Sequence, residues 1–167
     1  MILTVLLSLV MMAGLFLMLW GAVGFIQDKR FMSSAPKEGL AVVPDRKPER
    51  FKGQYALGWC MAVLAMILML APIVIGAWDG IRNDFGFDRF FLRFVCMHLL
   101  LKAFDIGFFD WVLLCNGGFG FFVHYYPEVR GIYQRHLFGY NWKEHLVQII
   151  AGIGIAALLA WICTLIG

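Results

Sequence analysis

Three stretches of this chain, residues 1–26, 55–78 and 146–167, contain no Asp, Glu, Lys or Arg. A helix crossing ~30 Å of hydrocarbon needs about 20 mostly apolar residues, because lipid offers no partner to a backbone N–H or C=O. Each stretch reaches that length, and Tyr55, Trp59 and Trp78 stand where headgroup zones favour amphipathic rings. Composition agrees: 62% of residues are hydrophobic and 15% charged, with a mean hydropathy of +0.79, whereas a soluble domain carries ~25% charged residues. A disordered chain is excluded, and a net charge of +3 is too small for a nucleic-acid surface. The expected class is an all-α, multi-pass protein of the bacterial inner (cell) membrane, with the lipid bilayer as its first partner.

A fourth span is expected at residues 90–115, which are rich in Phe and Leu but include Arg93, His98, Lys102, Asp105 and Asp110. Each central Lys or Asp costs about 2.5–3.5 kcal/mol on an insertion scale, while each Leu, Phe or Val returns only ~0.3–0.6. Alone this segment is marginal, and it needs its neighbours to enter. Lys102 and Asp105 are three apart and can pair on the helix, and Arg93 can snorkel to an interface. The alternative is three spans with residues 90–104 lying along the membrane surface.

Lys and Arg resist translocation, so their distribution orients the chain. Residues 27–54 hold Lys29, Arg30, Lys37, Arg46, Lys47, Arg50 and Lys52, and residues 116–145 hold Arg130, Arg135 and Lys143; the connection between the second and third spans has only Arg82 and Arg89. Both basic connections are therefore expected in the cytoplasm. This gives a single transmembrane domain, residues 1–167, as a four-transmembrane-helix bundle, N-out/C-out. The first stretch lacks a basic start and a small-x-small site, and reads as a retained helix.

Residues 27–54, with Pro36, Pro44 and Pro48, suggest a surface strap or partner-contact arm, with a solvated linker as the plainer alternative. Pro72 predicts a bend in the second span. Gly152, Ala156 and Ala160 form a small-residue stripe, and Gly14, Gly21 and Gly24 offer another; both suit close helix approach, within one chain or in a homo-oligomer. The run Asn116, Gly117, Gly118, Phe119, Gly120 predicts the end of the third helix, and residues 121–142 read as an interfacial segment.

Chemistry concentrates on the third span. At about 100° per residue, with His98 at zero, Lys102 falls near 40° and Asp105 near −20°, on one stripe, while Asp110 lies about 120° away. Ionisable stripes within membranes are candidates for proton relays, ion paths or headgroup sites, and the plainer alternative is that they tie helices together. His98, Lys102, Asp105 and Asp110 are the candidate catalytic residues. The sequence names no cofactor. No metal site is expected, because His98, Asp105, Asp110, His124, Glu128, His136 and His145 match no ligand spacing. Cys60, Cys96, Cys115 and Cys163 lie within or beside apolar spans without a C-x-x-C pair, as small buried hydrophobes would.

The stretch from Phe104 through Asp105, Asp110 and Trp111, followed by Pro127–Glu128 and then Tyr133-x-x-His136, resembles an uncharacterised family of small four-helix bacterial integral membrane proteins. Its members show an aspartate, a second aspartate five residues on followed by tryptophan, a Pro and Glu turn and a Tyr/His segment before the last span. This chain departs from the family's frequent Pro-Gly-Thr-Glu turn. The resemblance implies four spans and marks Trp111, Glu128, Tyr133 and His136 as candidate binding residues, without supplying an activity. Two functions follow as expectations: a binding or assembly component contacting a protein partner or a second copy, or a membrane-embedded enzyme or transporter working through the buried Asp/His/Lys cluster.

Overall fold

The uncharged stretches become the longest helices of the computed structural model, which describes residues 1–32, 35–115, 120–133 and 135–167. Helix α1 (Ile2–Trp20) is continued by a π-helical segment, Gly21–Ile26, then by a 3₁₀ turn, Lys29–Met32, and a short α2 (Lys37–Val42). The long α3 (Gln54–Arg82) leads through a tight turn to α4 (Phe87–Phe104), which a second π-helical segment, Asp105–Cys115, extends. Beyond it come α5 (Phe121–Tyr125), 3₁₀ turns at Pro127–Val129 and Arg135–Leu137, and α6 (Trp142–Ile166). Among the described residues the chain is all-helical, with one isolated antiparallel bridge, Asp28 to Arg46, and no strand. Among the described residues three helices are long and apolar enough to cross a membrane: Ile2–Ile26, Gln54–Arg82 and Trp142–Ile166.

Helix α3 overruns its uncharged stretch, 55–78, at both ends, and α6 overruns 146–167 at its start, because polar residues at a span's end keep helical backbone bonds while reaching water. Pro72 does not interrupt α3. Most of the expected glycine-rich break, residues 116–119, lies outside the described residues; Gly120, just beyond, has φ 58°, a left-handed conformation suited to glycine.

The chain divides into two compact units. The first comprises residues 1–15, 66–104 and 142–167. Its core is Leu7, Met11, Phe90, Phe94, Met97, Ala156, Ala160 and Cys163. Small residues set the helix spacing here: a Cβ on Gly80 would overlap the Phe90 ring, and one on Gly152 would overlap His98. The stripe at Gly152, Ala156 and Ala160 thus serves packing within the chain.

The second unit comprises residues 16–65 and 105–141. Its core gathers Val23, Met32, Val43, Leu114, Tyr126, Val129, Tyr133 and Leu137. Met32 and Val43 belong to the stretch with linker-like composition, so this stretch is a packed strap and not a solvated linker. Its apolar side chains share a core with Tyr126, Val129, Tyr133 and Leu137, and a Cβ on Gly39 would strike the Tyr133 ring.

Candidate functional site

Within the first unit the polar groups of α4 meet partners on its neighbours. Lys102, 8% exposed, donates to Gln148 Oε1 at 2.7 Å and lies 3.0 Å from His145 Nδ1. Hydrogen bonds to a charged group contribute about 1.5–3 kcal/mol each, enough to offset much of the ~2.5–3.5 kcal/mol that a lysine at membrane depth costs. The Arg93 guanidinium, 6% exposed, donates to the Gly76 carbonyl at 2.7 Å, pairs with Asp79 Oδ2 at 2.8 Å and stacks 4.6 Å from the Phe85 ring centroid. His98 sits against Gly152, and its Nε2 is buried without a hydrogen-bond partner. His98 also lines an apolar cleft of about 320 Å³.

The second unit is built around helix ends. Gln27 closes the Gly21–Ile26 segment in a left-handed conformation, φ 51°, and its N–H bonds to the Ala22 carbonyl. Opening a π-helical end leaves carbonyls without backbone partners, and side chains from the strap and from α3 supply them. Arg50 donates to Gly24 O at 2.5 Å, and Gln54 Nε2 donates to Phe25 O at 2.9 Å. Gln54, fully buried, also donates to Gln27 Oε1 at 3.2 Å and accepts the Arg50 backbone N–H at 2.9 Å. At the start of α3, Glu49 accepts the Tyr55 N–H at 2.9 Å, satisfying an orphan donor with a negative charge where the helix dipole favours it.

Lys47 then joins the strap to residues 125–128. Its ammonium donates to the Tyr125 carbonyl at 2.9 Å, lies 2.9 and 3.0 Å from the two carboxylate oxygens of Glu128, and stands 4.5 Å from the Tyr126 ring centroid. Partial desolvation pushes the Glu128 carboxyl up, but its own backbone N–H and Lys47 outweigh that and hold it below its ordinary value. Asp28, gripped by the Arg30 side chain and backbone N–H, is pushed down to about 2. Burial raises both the Tyr126 phenol, further raised by nearby acidic groups, and the Tyr133 phenol, the latter to about 12.

The chain matches no protein-family model, no curated protein and no solved structure.

The candidate catalytic residues fall into two sets. His98 and Lys102 belong to the first unit; Asp105 and Asp110 belong to the second. The backbone changes the relation between the two aspartates. Over Asp105–Cys115 the bonds run i to i+5, with roughly 4.4 residues per turn, so residues five apart lie about 50° apart around the axis. An α-helix would have set Asp105 and Asp110 about 140° apart. Asp110 is 9% exposed. Among the candidate binding residues, Tyr133 is buried in the strap-bound core and Glu128 is bound to Lys47. Trp111 is exposed and packs edge-on to Phe138, with ring centroids 4.9 Å apart, while His136 is exposed. Among the described residues no three His, Cys, Asp or Glu side chains are grouped to hold a metal ion.

Sequence reasoning missed Gln54, Asp79, His145 and Gln148 as partners. The available clue was a lone amide at or inside an apolar run, which lipid tolerates only when something binds it.

Proposed function

We propose that this chain is a four-span protein of the bacterial inner membrane, with both basic connections in the cytoplasm, and that it works as a binding or assembly component. The observation that carries the assembly role is the commitment of three cationic side chains to structural partners: Arg93 to Asp79 and Gly76, Lys102 to Gln148 and His145, Lys47 to Glu128 and Tyr125. Charges held this way fix helix spacing and cap shape, leaving exposed aromatic residues such as Trp111 and Phe138 to meet a partner. The resemblance to small four-helix bacterial membrane proteins supports the four spans of this reading and supplies no activity.

The four-span reading is supported by the packing of the strap against Tyr126, Val129, Tyr133 and Leu137 within one unit, as expected if the first and third connections share one side of the membrane. The test is retention of native partners: Asp105→Asn or Asp110→Asn should change yield or the stoichiometry of a co-purifying protein, measured after gentle extraction from native membranes.

One observation favours a second reading, an embedded proton-exchanging enzyme or transporter. The π-helical turn brings Asp105 and Asp110 toward one face, and such turns recur at functional sites. On that reading the same substitutions leave a folded protein in detergent and remove a pH-dependent activity.

A further inference from the structure

The two limbs of the strap are joined beside the start of α3. Around the isolated bridge from Asp28 to Arg46, the Lys29 N–H bonds to the Asp45 carbonyl at 2.9 Å and the Lys47 N–H to the Gln27 carbonyl at 3.1 Å. These bonds frame a hollow of about 460 Å³ lined by Asp28, Lys29, Arg30, Asp45 and Arg46. Arg30 claims Asp28 through Nε at 3.0 Å and Nη2 at 2.7 Å. The Asp45 carboxylate, 99% exposed, lies 3.8 Å from Lys29 Nζ, beyond hydrogen-bond reach. Arg46, also exposed, stacks 4.0 Å from the Tyr55 ring centroid, which holds the guanidinium plane and leaves its N–H edge open. The hollow therefore presents an open anion, Asp45, beside open cations, Arg46 and Lys29.

Tyr55 also sets the level of the hollow. It lies four residues before Trp59 on one face of α3, and the exposed Phe31 ring packs edge-on to Trp59 with centroids 5.5 Å apart. Tyr and Trp rings in the first turns of a helix that crosses a membrane stand in the headgroup zone. Through Arg46, the charged lining of the hollow reaches that zone.

We propose that this hollow binds the headgroup of a zwitterionic phospholipid with a primary amine, phosphatidylethanolamine, its phosphate at Arg46 and Lys29 and its ammonium at Asp45. The mixed lining selects that chemistry. A purely anionic headgroup such as that of phosphatidylglycerol would meet the carboxylates of Asp28 and Asp45 and offer Asp45 no cation. A quaternary ammonium has no N–H to donate to Asp45 and is recognised by open aromatic faces, whereas Arg46 already covers the Tyr55 ring. The exposed rings of Phe31 and Trp59 give acyl chains a surface that a soluble phosphate ester cannot use. The inference rests on α3 crossing the bilayer, and it does not depend on the assembly role.

The probes are dioleoyl phosphatidylethanolamine, phosphatidylcholine and phosphatidylglycerol, each added to the delipidated full-length protein in detergent and followed by native mass spectrometry. Phosphatidylethanolamine is expected to be held about fivefold more tightly than either competitor, the preference that one exposed ion pair supports. In nanodiscs of phosphatidylglycerol, added phosphatidylethanolamine should slow hydrogen exchange at residues 28–31 and 45–47 and leave residues 87–104 unchanged. Asp45→Asn should bring the three lipids to equal retention, while Lys52→Gln, at an exposed strap cation outside the hollow, should keep the preference. Equal retention of phosphatidylglycerol overturns recognition of the ammonium; equal retention of phosphatidylcholine overturns the primary amine; displacement by O-phosphoethanolamine at the lipid's own concentration overturns a lipid occupant. Protection elsewhere than the strap, or a preference that survives Asp45→Asn, overturns the site. Loss of the preference in a protein that still fractionates with membranes strikes the site and leaves the spans standing. The lipid comparison and the exchange measurement use the unsubstituted protein and decide the matter even if a variant fails to fold.

Discussion

The two units handle polar groups in opposite ways. In the first, regular α-helices satisfy their own backbones, and polar side chains such as Arg93 and Lys102 reach across to neighbouring helices. In the second, the backbone passes through π-helical, 3₁₀ and turn conformations, and side chains such as Arg50, Gln54 and Lys47 bind carbonyls that the backbone leaves open. The lesson concerns what each unit tolerates. A unit of packed helices is sensitive to side-chain volume, whereas a unit of irregular backbone is sensitive to loss of a donor or acceptor.

The sharpest break in this contrast is Gln54→Leu. It removes partners from Phe25 O, Gln27 Oε1 and the Arg50 N–H at once, and each buried group left unpaired costs about 1–3 kcal/mol, so a loss of roughly 3–5 kcal/mol is expected. Rapid proteolysis at residues 27–53 in detergent would register it, with the first unit's helices still protected. Next comes Gly80→Ala, whose new methyl overlaps the Phe90 ring; overpacking costs about 1–3 kcal/mol, and the thermal midpoint in detergent should fall with the strap still protease-resistant. Third is Lys47→Met, expected to cost about 1 kcal/mol because Glu128 is partly exposed, and to raise hydrogen exchange in the strap.

Acid gives a gentler separation. Glu128 and Asp28 have lowered carboxyl values, so their stabilisation is complete above the ordinary carboxylate range near 4 and is lost as pH falls through the lowered values, toward about 2 for Asp28. Exchange in residues 27–53 should rise between pH 4 and pH 2. At the alkaline end, absorbance titration of the 5 tyrosines should show Tyr126 and Tyr133 still protonated at pH 11 while others ionise. Ionisation of all five together near pH 10 would erase the distinction between the units' interiors.

How far these features were legible in the sequence follows from the same contrast. Absence of charge over 20 or more residues is a direct consequence of what lipid excludes, and the three apolar helices could be read off with ends displaced by a few residues. The stripe from His98 to Lys102 was equally legible, because α-helical periodicity holds through Phe104. At Asp105 the hydrogen-bond register changes while the residues stay apolar and aromatic, so nothing in the pattern announced that Asp110 would turn toward the face of Asp105. The strap was one of the readings that the sequence left open, because three prolines and seven cations also resemble a solvated linker. What orders it is a handful of side chains: Arg50 and Gln54, whose carbonyl partners Gly24 and Phe25 exist only once the π-helical end has formed, and Lys47, which reaches the Tyr125 carbonyl.

The four-span arrangement is tested most directly by impermeant maleimide labelling of single cysteines in intact cells, in a background where Cys60, Cys96, Cys115 and Cys163 are replaced by Ala. Asp84→Cys should label at once, while Lys37→Cys and His136→Cys should label only after the membrane is opened. Labelling of Lys37→Cys and His136→Cys from opposite sides would contradict the account.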